Sequence, residues 1–237
     1  MIALIDADIL IYRVGYTTMD LSEGIAAARI GESIEGIHLA LDTTVAELYL
    51  TSTLKNNFRY AIDPAYKAGR LTSKPTHYDF LRDHLVMAYN ASVVEDQEAD
   101  DMLGIRSTQL APEGCICTID KDLDQIPGWH YNFVKDHKYE VTPEEGLRFF
   151  YTQLLTGDRI DNIMGVPGIG AVKAAKILKG KTTEEDLFNA VKATYQSGFP
   201  DNWELLLRRF GQLLKIRTRE GELWEFPDAR GPSTDPA

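Results

Sequence analysis

Residues 114–126 read GCICTIDKDLDQI, an apolar run set directly against three aspartates. The apolar part predicts a buried strand over Ile116–Ile119, and Asp120 and Asp122 close it. The pattern recurs. IALID at 2–6 predicts a strand, Ile2–Ile5, closed by Asp6, and a Ser92–Val94 strand precedes EADD at 98–101. Two more strand-like runs are Glu47–Thr51 and Tyr131–Val134. Stretches with helical apolar spacing, Ser33–Leu41, Tyr78–Tyr89 and Ala99–Gln109, separate most of the strands. The alternation predicts an α/β core with a largely parallel central sheet. The Val, Ile and Leu content of the strands suits a sheet covered on both faces.

At 237 residues the chain is long enough for one large domain or two small ones. Its 44% apolar and 26% charged composition is ordinary for a soluble protein, and no apolar run is long enough to span a bilayer. The N-terminus has neither the basic start nor the cleavage site of a signal peptide, so the expectation is cytoplasmic residence. Cys115 and Cys117 point to one face of their strand, too close for an ordinary disulfide and too few for a zinc site. They read as reduced, packed cysteines. The net charge of −11 weighs against a uniformly basic nucleic-acid binder. Carboxylates gathered around bound cations would leave room for a local basic track.

After Thr142 the pattern turns helical. Thr142 reads as a helix cap, with Pro143 at the first helical position and Glu145 at the capping-box position. Helices follow over Leu147–Leu155, Ala171–Leu178, Thr183–Thr194 and Asn202–Lys215. The expected organisation is a core over 1–142, a helical subdomain over 143–227 and a disordered tail over 228–237. In residues 154–178, LLTGDRIDNIMGVPGIGAVKAAKIL, Asp158 and Asp161 have the spacing of one side of a helical turn. Gly165, Gly168 and Gly170 then lead into the Ala171–Leu178 helix, whose first N–H groups and Lys173 and Lys176 suit a phosphate. Val166, Ile169, Val172 and Ile177 read as its core.

In open parallel sheets, ligands bind beyond the carboxyl ends of the strands. Asp6, Glu98, Asp100, Asp101, Asp120 and Asp122 fall there, and like charges at short range need compensation. An oxygen-only donor set suits Mg²⁺ or Mn²⁺ and a two-metal phosphodiesterase site. Taken singly, Asp6 and Asp122 read better as cap or turn residues, and Glu98–Asp101 as an acidic first helical turn. Asp8 and Asp124 are assigned to caps or turns outright. The recurrence of acidic groups at successive strand ends is what favours a site.

Together, TIDKDLDQIPG, EADD, GDRIDNIMGVPGIGAVKAAKIL and the Tyr-Lys-x-x-Arg of NFRYAIDPAYKAGR resemble the 5′-nuclease family. That family comprises flap endonucleases, the 5′-nuclease domains of bacterial DNA polymerase I, and phage and bacterial 5′→3′ exonucleases. The likeness covers roughly residues 1–180, in order, and is closest to the small phage and bacterial exonucleases. It implies a PIN-like, Rossmann-like core with a short helical arch region near 64–89, followed by a DNA-binding subdomain over 143–227 with a helix–hairpin–helix of the helix–three-turn–helix type. It implies metal ligands at Asp6, Glu98, Asp100, Asp101, Asp120, Asp122, Asp158 and Asp161, for two or more Mg²⁺ with Mn²⁺ as a substitute. Lys67 and Arg70 would contact the scissile phosphate. Tyr66, Gly165, Val166, Gly168, Ile169, Gly170, Lys173 and Lys176 would contact DNA, with K⁺ at the hairpin. Tyr66 reads equally as a core residue. Lys74, His77 and Arg82 read as further clamp residues or as a solvated face. Arg208, Arg209, Lys215, Arg217 and Arg219 read as surface residues of the C-terminal helices ahead of an extended DNA track. The expected activity is 5′→3′ exonuclease and 5′-flap cleavage of DNA in primer or flap removal, by a monomer working with a replicative polymerase. One departure stands out. The family's carboxylate at the end of the second strand is absent, and Ser52 or Thr53 stands near its place. The alternatives are a non-catalytic, structure-specific DNA-binding protein and an RNA-cutting nuclease on a related core.

Overall fold

The computed structural model describes residues 1–69 and 73–227. The expectations for Arg70 and for the tail 228–237 lie outside the described residues. By contact the chain forms two compact units. One comprises residues 1–58, 71–142 and 216–220, and the other 59–70, 143–215 and 221–237.

The first unit is built on a six-stranded sheet in the order β3-β2-β1-β4-β5-β6. The strands are β1 Ile2–Asp6, β2 Ala46–Thr51, β3 Ser92–Val94, β4 Gly114–Cys117, β5 Gly128–Asn132 and β6 His137–Val141. Every pairing is parallel except β5 with the edge strand β6. The chain's helices up to residue 109 are α1 Ala7–Thr17, α2 Glu23–Leu41, α3 Phe58–Ile62, α4 Tyr78–Tyr89 and α5 Ala99–Gln109. Side-chain alternation divides the core between the two faces. Ala3, Ile5, Leu50, Cys115 and Cys117 pack with Leu10, Ile30, Ile37 and Leu81 of α1, α2 and α4. Leu4, Tyr49 and Ile116 pack with Leu103 of α5 and with Ile216. Full burial of such a side chain contributes about 1.5–3 kcal/mol. Cys115 and Cys117 are free thiols, as their spacing predicts.

Several boundaries differ from the sequence expectation. Helix α1 begins with no intervening loop, because Asp6, the last residue of β1, accepts the Ile9 N–H and caps it. Helix α2 runs ten residues upstream of Ser33, from the Ser22 cap, through a stretch whose small Ala and Gly side chains leave little apolar signal. β4 ends at Cys117 because the Thr118 hydroxyl turns to Asp6 and Asp120. β5 ends at Asn132, whose side-chain oxygen accepts the Val134 and Lys135 N–H groups in a turn. The polar hairpin partner β6 has no apolar alternation strong enough to mark it.

The second unit contains α6 Pro143–Thr156, a two-stranded hairpin of β7 Gly157–Asp158 and β8 Ile163–Met164, then α7 Ala171–Leu178, α8 Glu184–Gly198 and α9 Trp203–Leu214. Its core gathers Phe150, Leu154, Phe188, Val191, Tyr195, Leu207, Phe210 and Trp224. Buried Arg59 donates to the carbonyls of Leu213 and Lys215, placing a cation where the α9 dipole is negative. No helix among the described residues is long and apolar enough to cross a membrane. Trp224 is 5% exposed and lies edge-on to Phe150 and Phe226. Trp224→Ala is expected to destabilise the chain by about 3–5 kcal/mol, read as a lower urea midpoint of the intrinsic fluorescence or circular dichroism transition.

Candidate active site

In the first unit the acidic residues collect at the carboxyl edge of the sheet. Asp6 is only 2% exposed. One of its oxygens accepts the Ile9 N–H at 3.1 Å and the other the Thr118 hydroxyl at 2.8 Å. Burial foremost, then the charges of Asp8 and Asp120, push its pKa up to about 7. Asp120 caps the short 3-10 turn Lys121–Gln125 through the Asp122 N–H at 2.9 Å. Glu98 caps α5 and accepts the Asn57 side-chain amide at 3.2 Å. Asp100 and Asp122 are half-buried at the starts of their turns.

Asp101 is fully buried, and its two oxygens accept the N–H groups of Glu98 and Arg217 at 3.0 and 3.1 Å. That geometry closes the capping box and holds residues 216–217, a fold role beside the expected ligand role. Asp124 accepts the Tyr139 hydroxyl at 2.7 Å, a fold role like the one assigned to it.

Asp8 departs from its assignment. The cap of α1 is Asp6, and Asp8 reaches across to the end of β2, where it accepts the Thr51 N–H at 2.9 Å. Its pKa is raised, by burial first, and the charge of Glu98 adds to the shift. Arg82 Nη1 lies 3.7 Å from its other oxygen, while Nη2 donates to the Thr51 carbonyl at 2.7 Å. Arg82 is thus a buried partner and not a solvated face. Lys74 pairs with Asp79 at 3.3 Å, and the His77 ring donates to the Leu21 carbonyl at 2.8 Å. The signal available in the sequence was Asp-x-Asp at a strand end. Ser52, which stands near the place of the absent carboxylate, directly follows β2; its N–H donates to the Val94 carbonyl at 2.9 Å and its hydroxyl accepts the Leu54 N–H at 3.3 Å.

Among the described residues no three carboxylates, imidazoles or thiolates stand ready to hold one ion. The donor chemistry nevertheless fits a hard cation. Asp6 and Asp8 both have raised pKa values, burial first, with the Asp8 charge adding to the Asp6 shift and Arg82 offsetting only part of that of Asp8, and Mg²⁺ characteristically keeps several waters and takes one or two carboxylates.

The second unit carries a separate constellation. Asp158 and Asp161 sit in the β7–β8 hairpin turn and not on a helix. Asp158 Oδ1 accepts the N–H groups of Ile160 and Asp161 at 2.7 and 3.2 Å, an Asx-type turn. A Cβ on Gly157, at φ +69°, would lie 2.2 Å from the Gly165 nitrogen, so the two strands approach closely only because both ends are glycine. Asp161 accepts the Tyr66 hydroxyl at 2.9 Å and pairs with Lys67 at 3.7 Å. Tyr66 is 3% exposed and lies edge-on to Tyr60, so it is a core ring with no face open to a base.

Gly165 and Val166 also differ from the expected DNA contacts. Gly165 abuts the Thr156–Gly157 backbone, and Val166 is core, its N–H bonded to the Leu155 carbonyl. Pro167 and Gly168, at φ +74°, form an exposed turn closed by the Ile169 N–H on the Val166 carbonyl. Ile169 is half-buried, and Gly170, Lys173 and Lys176 are exposed at and beyond the start of α7. Val172 is 72% exposed, and Ala174 and Leu178 form the buried face in its stead. The C-terminal cations have fold roles. Arg208 pairs with Glu204 and Glu225, Arg209 with Asp63, and Lys215 lies over Phe150. Arg217 lies over Phe58 and donates to Gln97.

The sequence matches the 5′-3′ exonuclease, N-terminal resolvase-like domain over residues 1–148. The chain belongs to that family. DNA polymerase I of Bacillus caldotenax is 30% identical over 189 residues, which are 67% of this chain and 21% of the polymerase. The chain therefore spans about a fifth of that relative's length. The bacteriophage T5 D15 protein, co-crystallized with metal ions, has the same fold, with a TM-score of 0.73 at 18% identity over 92% of this chain and 90% of that one. The T5 D15 flap endonuclease in a pseudo-enzyme-product complex with DNA and metal ions gives a TM-score of 0.70 at 18% identity, over 92% and 89%. For this member of the 5′-3′ exonuclease family, the raised pKa of Asp6 has a testable sign. A carboxyl raised in the fold favours the folded state most at low pH and loses that contribution as pH rises through about 7. In chelator, the native chain's melting temperature should fall from pH 5 to pH 8 more steeply than that of Asp6→Asn.

Proposed function

We propose that the chain is a divalent-metal-dependent 5′→3′ exonuclease with 5′-flap endonuclease activity on DNA. The observation that carries this reading is the gathering of Asp6, Asp8, Glu98 and Asp120, the first and third of them buried, at one sheet edge of a chain in the 5′-3′ exonuclease family. The T5 flap endonuclease complex with DNA and metal ions supports DNA as substrate. The polymerase relatives support a role beside DNA synthesis, in primer or flap removal.

Asp6, Glu98, Asp100, Asp101, Asp120 and Asp122 are the candidate ligands of the first unit, and Asp158 and Asp161 those of the second, for Mg²⁺ with Mn²⁺ as a substitute. Bound ions would supply Lewis-acid activation of water and stabilisation of the leaving oxygen. The chain's own contribution is orientation. Thr118 and the Ile9 N–H fix both oxygens of Asp6. Lys67 is locked by its N–H on the Asp161 carbonyl at 3.0 Å and by its pairing with the Asp161 carboxylate. A lysine so held gives a phosphate a positioned cation. Asp120→Asn should lower single-turnover cleavage of a 5′-labelled flap by at least a hundredfold while leaving flap binding in chelator within threefold. Cleavage that persists in both Asp120→Asn and Asp158→Asn would overturn the reading.

The exposed turn of Pro167 and Gly168, with Gly170, Lys173 and Lys176, is the proposed DNA-backbone contact, of helix–hairpin–helix type, with K⁺ as its candidate ion. Such contacts position DNA without reading bases. Lys173→Ala with Lys176→Ala should weaken binding equally across sequences and reduce the slope of log affinity against log salt by about 2. Ser52 and Thr53 in place of a carboxylate after the second strand favour one alternative, a DNA-binding chain without hydrolysis. It predicts binding but no cleavage in Mg²⁺ or Mn²⁺.

A further inference from the structure

The carboxylate edge is uneven in sequence. β1 ends in Asp6, β4 leads to Asp120, and β3 leads to Glu98, but β2 runs out through Thr51 into Ser52. The sheet register shows what serves that gap. Asp6, the last residue of β1, pairs laterally with Tyr49, and Asp8, in the first turn of α1, meets the end of β2 at Thr51, two residues beyond Tyr49. The carboxylate makes that crossing, with one oxygen accepting the Thr51 N–H at 2.9 Å. Four elements meet at this point. Thr51 ends β2, its hydroxyl accepts the Ala99 N–H of α5 at 3.0 Å, its carbonyl accepts Arg82 of α4, and its N–H donates to Asp8 of α1.

Asp8 is therefore held as firmly as a strand residue, although it lies on a helix. Its second oxygen faces Arg82 Nη1 at 3.7 Å, an ion pair longer than a hydrogen bond. That nitrogen is buried without a hydrogen-bond partner. Thr51 thus hydrogen-bonds the Asp8 carboxylate, while the oxygen on the Arg82 side is held by a longer ion pair that neutralises part of its charge.

We propose that Asp8 is a ligand of the sheet-edge metal ion, supplying from α1 the carboxylate that the end of β2 lacks, with Arg82 as its positioning residue. This rests on the metal-dependent reading above. Two carboxylates with water suffice for Mg²⁺, so Asp6 and Asp8, two residues apart at one strand end, make a sufficient protein contribution. The geometry also assigns the compensation a definite place, because a carboxylate installed at Ser52 would enter from β2, the strand Asp8 now serves.

The test is Mn²⁺ binding to the full chain without DNA, by isothermal titration and by the loss of free-Mn²⁺ paramagnetic resonance signal. The proteins are the native chain, Asp8→Asn, Asp8→Asn with Ser52→Asp, and Asp120→Asn, each melted in chelator to establish folding. The expected result is that Asp8→Asn weakens Mn²⁺ binding tenfold or more, and that Ser52→Asp in the same chain restores it to within about threefold of native. Asp8→Asn binding as tightly as the native chain overturns the proposal and leaves the metal reading to Asp120→Asn. Weakening that Ser52→Asp does not rescue also overturns it, since Asp8 would then act only by holding Thr51. A native chain that takes up no Mn²⁺ at millimolar concentration overturns the metal reading and this proposal with it. If Asp8→Asn does not fold, Asp8→Glu is read in its place. It keeps the charge and moves it by one methylene, and unchanged Mn²⁺ affinity in it counts against ligation.

Discussion

Burying a carboxylate is costly unless hydrogen bonds or a cation compensate, and the first unit turns on that constraint at Asp6. The residue ends the central strand and starts the first helix. It receives one backbone and one hydroxyl hydrogen bond and remains pushed up to about 7 by burial and neighbouring charge. Around it the chain behaves as if arranged for a charge it does not itself provide. Thr118 leaves the sheet to reach Asp6, and the Asp120 turn follows at once from the same hydroxyl. Hydrogen bonds that hold the fold thereby aim the acidic edge.

The two carboxylates of EADD that the structure resolves in detail have different partners, although they are near neighbours in sequence. Asp101 has both oxygens on backbone N–H groups and is fully buried, which stabilises the start of α5 and the 216–217 segment. Glu98 faces Asn57 and lies within electrostatic reach of Asp8. A motif read as a set of equivalent ligands thus contains one residue that also builds the edge. In the second unit Asp158 is likewise a turn builder at one oxygen, while Asp161 gathers Tyr66 and Lys67.

Much of the architecture is legible because burial on both sheet faces requires long apolar runs, and α4, α5 and α7 carry clear helical spacing between strong boundaries. The elements that escape are those whose signal is weak or shared. The first half of α2 is Ala- and Gly-rich. α1 continues the apolar run of β1 without a turn, and β6 is a polar edge strand held by its pairing with β5. Gly165 reads as a helix-entry or phosphate glycine in one dimension. In three dimensions it is needed because the Thr156–Gly157 backbone passes within a Cβ's reach.

The sequence alone determined the class of fold, the family likeness and the positions of the acidic strand ends, because strand burial and strand-end polarity are local, periodic properties. Tertiary structure alone decided which backbone groups each carboxylate holds. Asp8 shows why. Its partner Thr51 lies forty-three residues away, at the end of the strand that pairs with β1. No local spacing distinguishes a helix-turn aspartate from one that spans to the neighbouring strand.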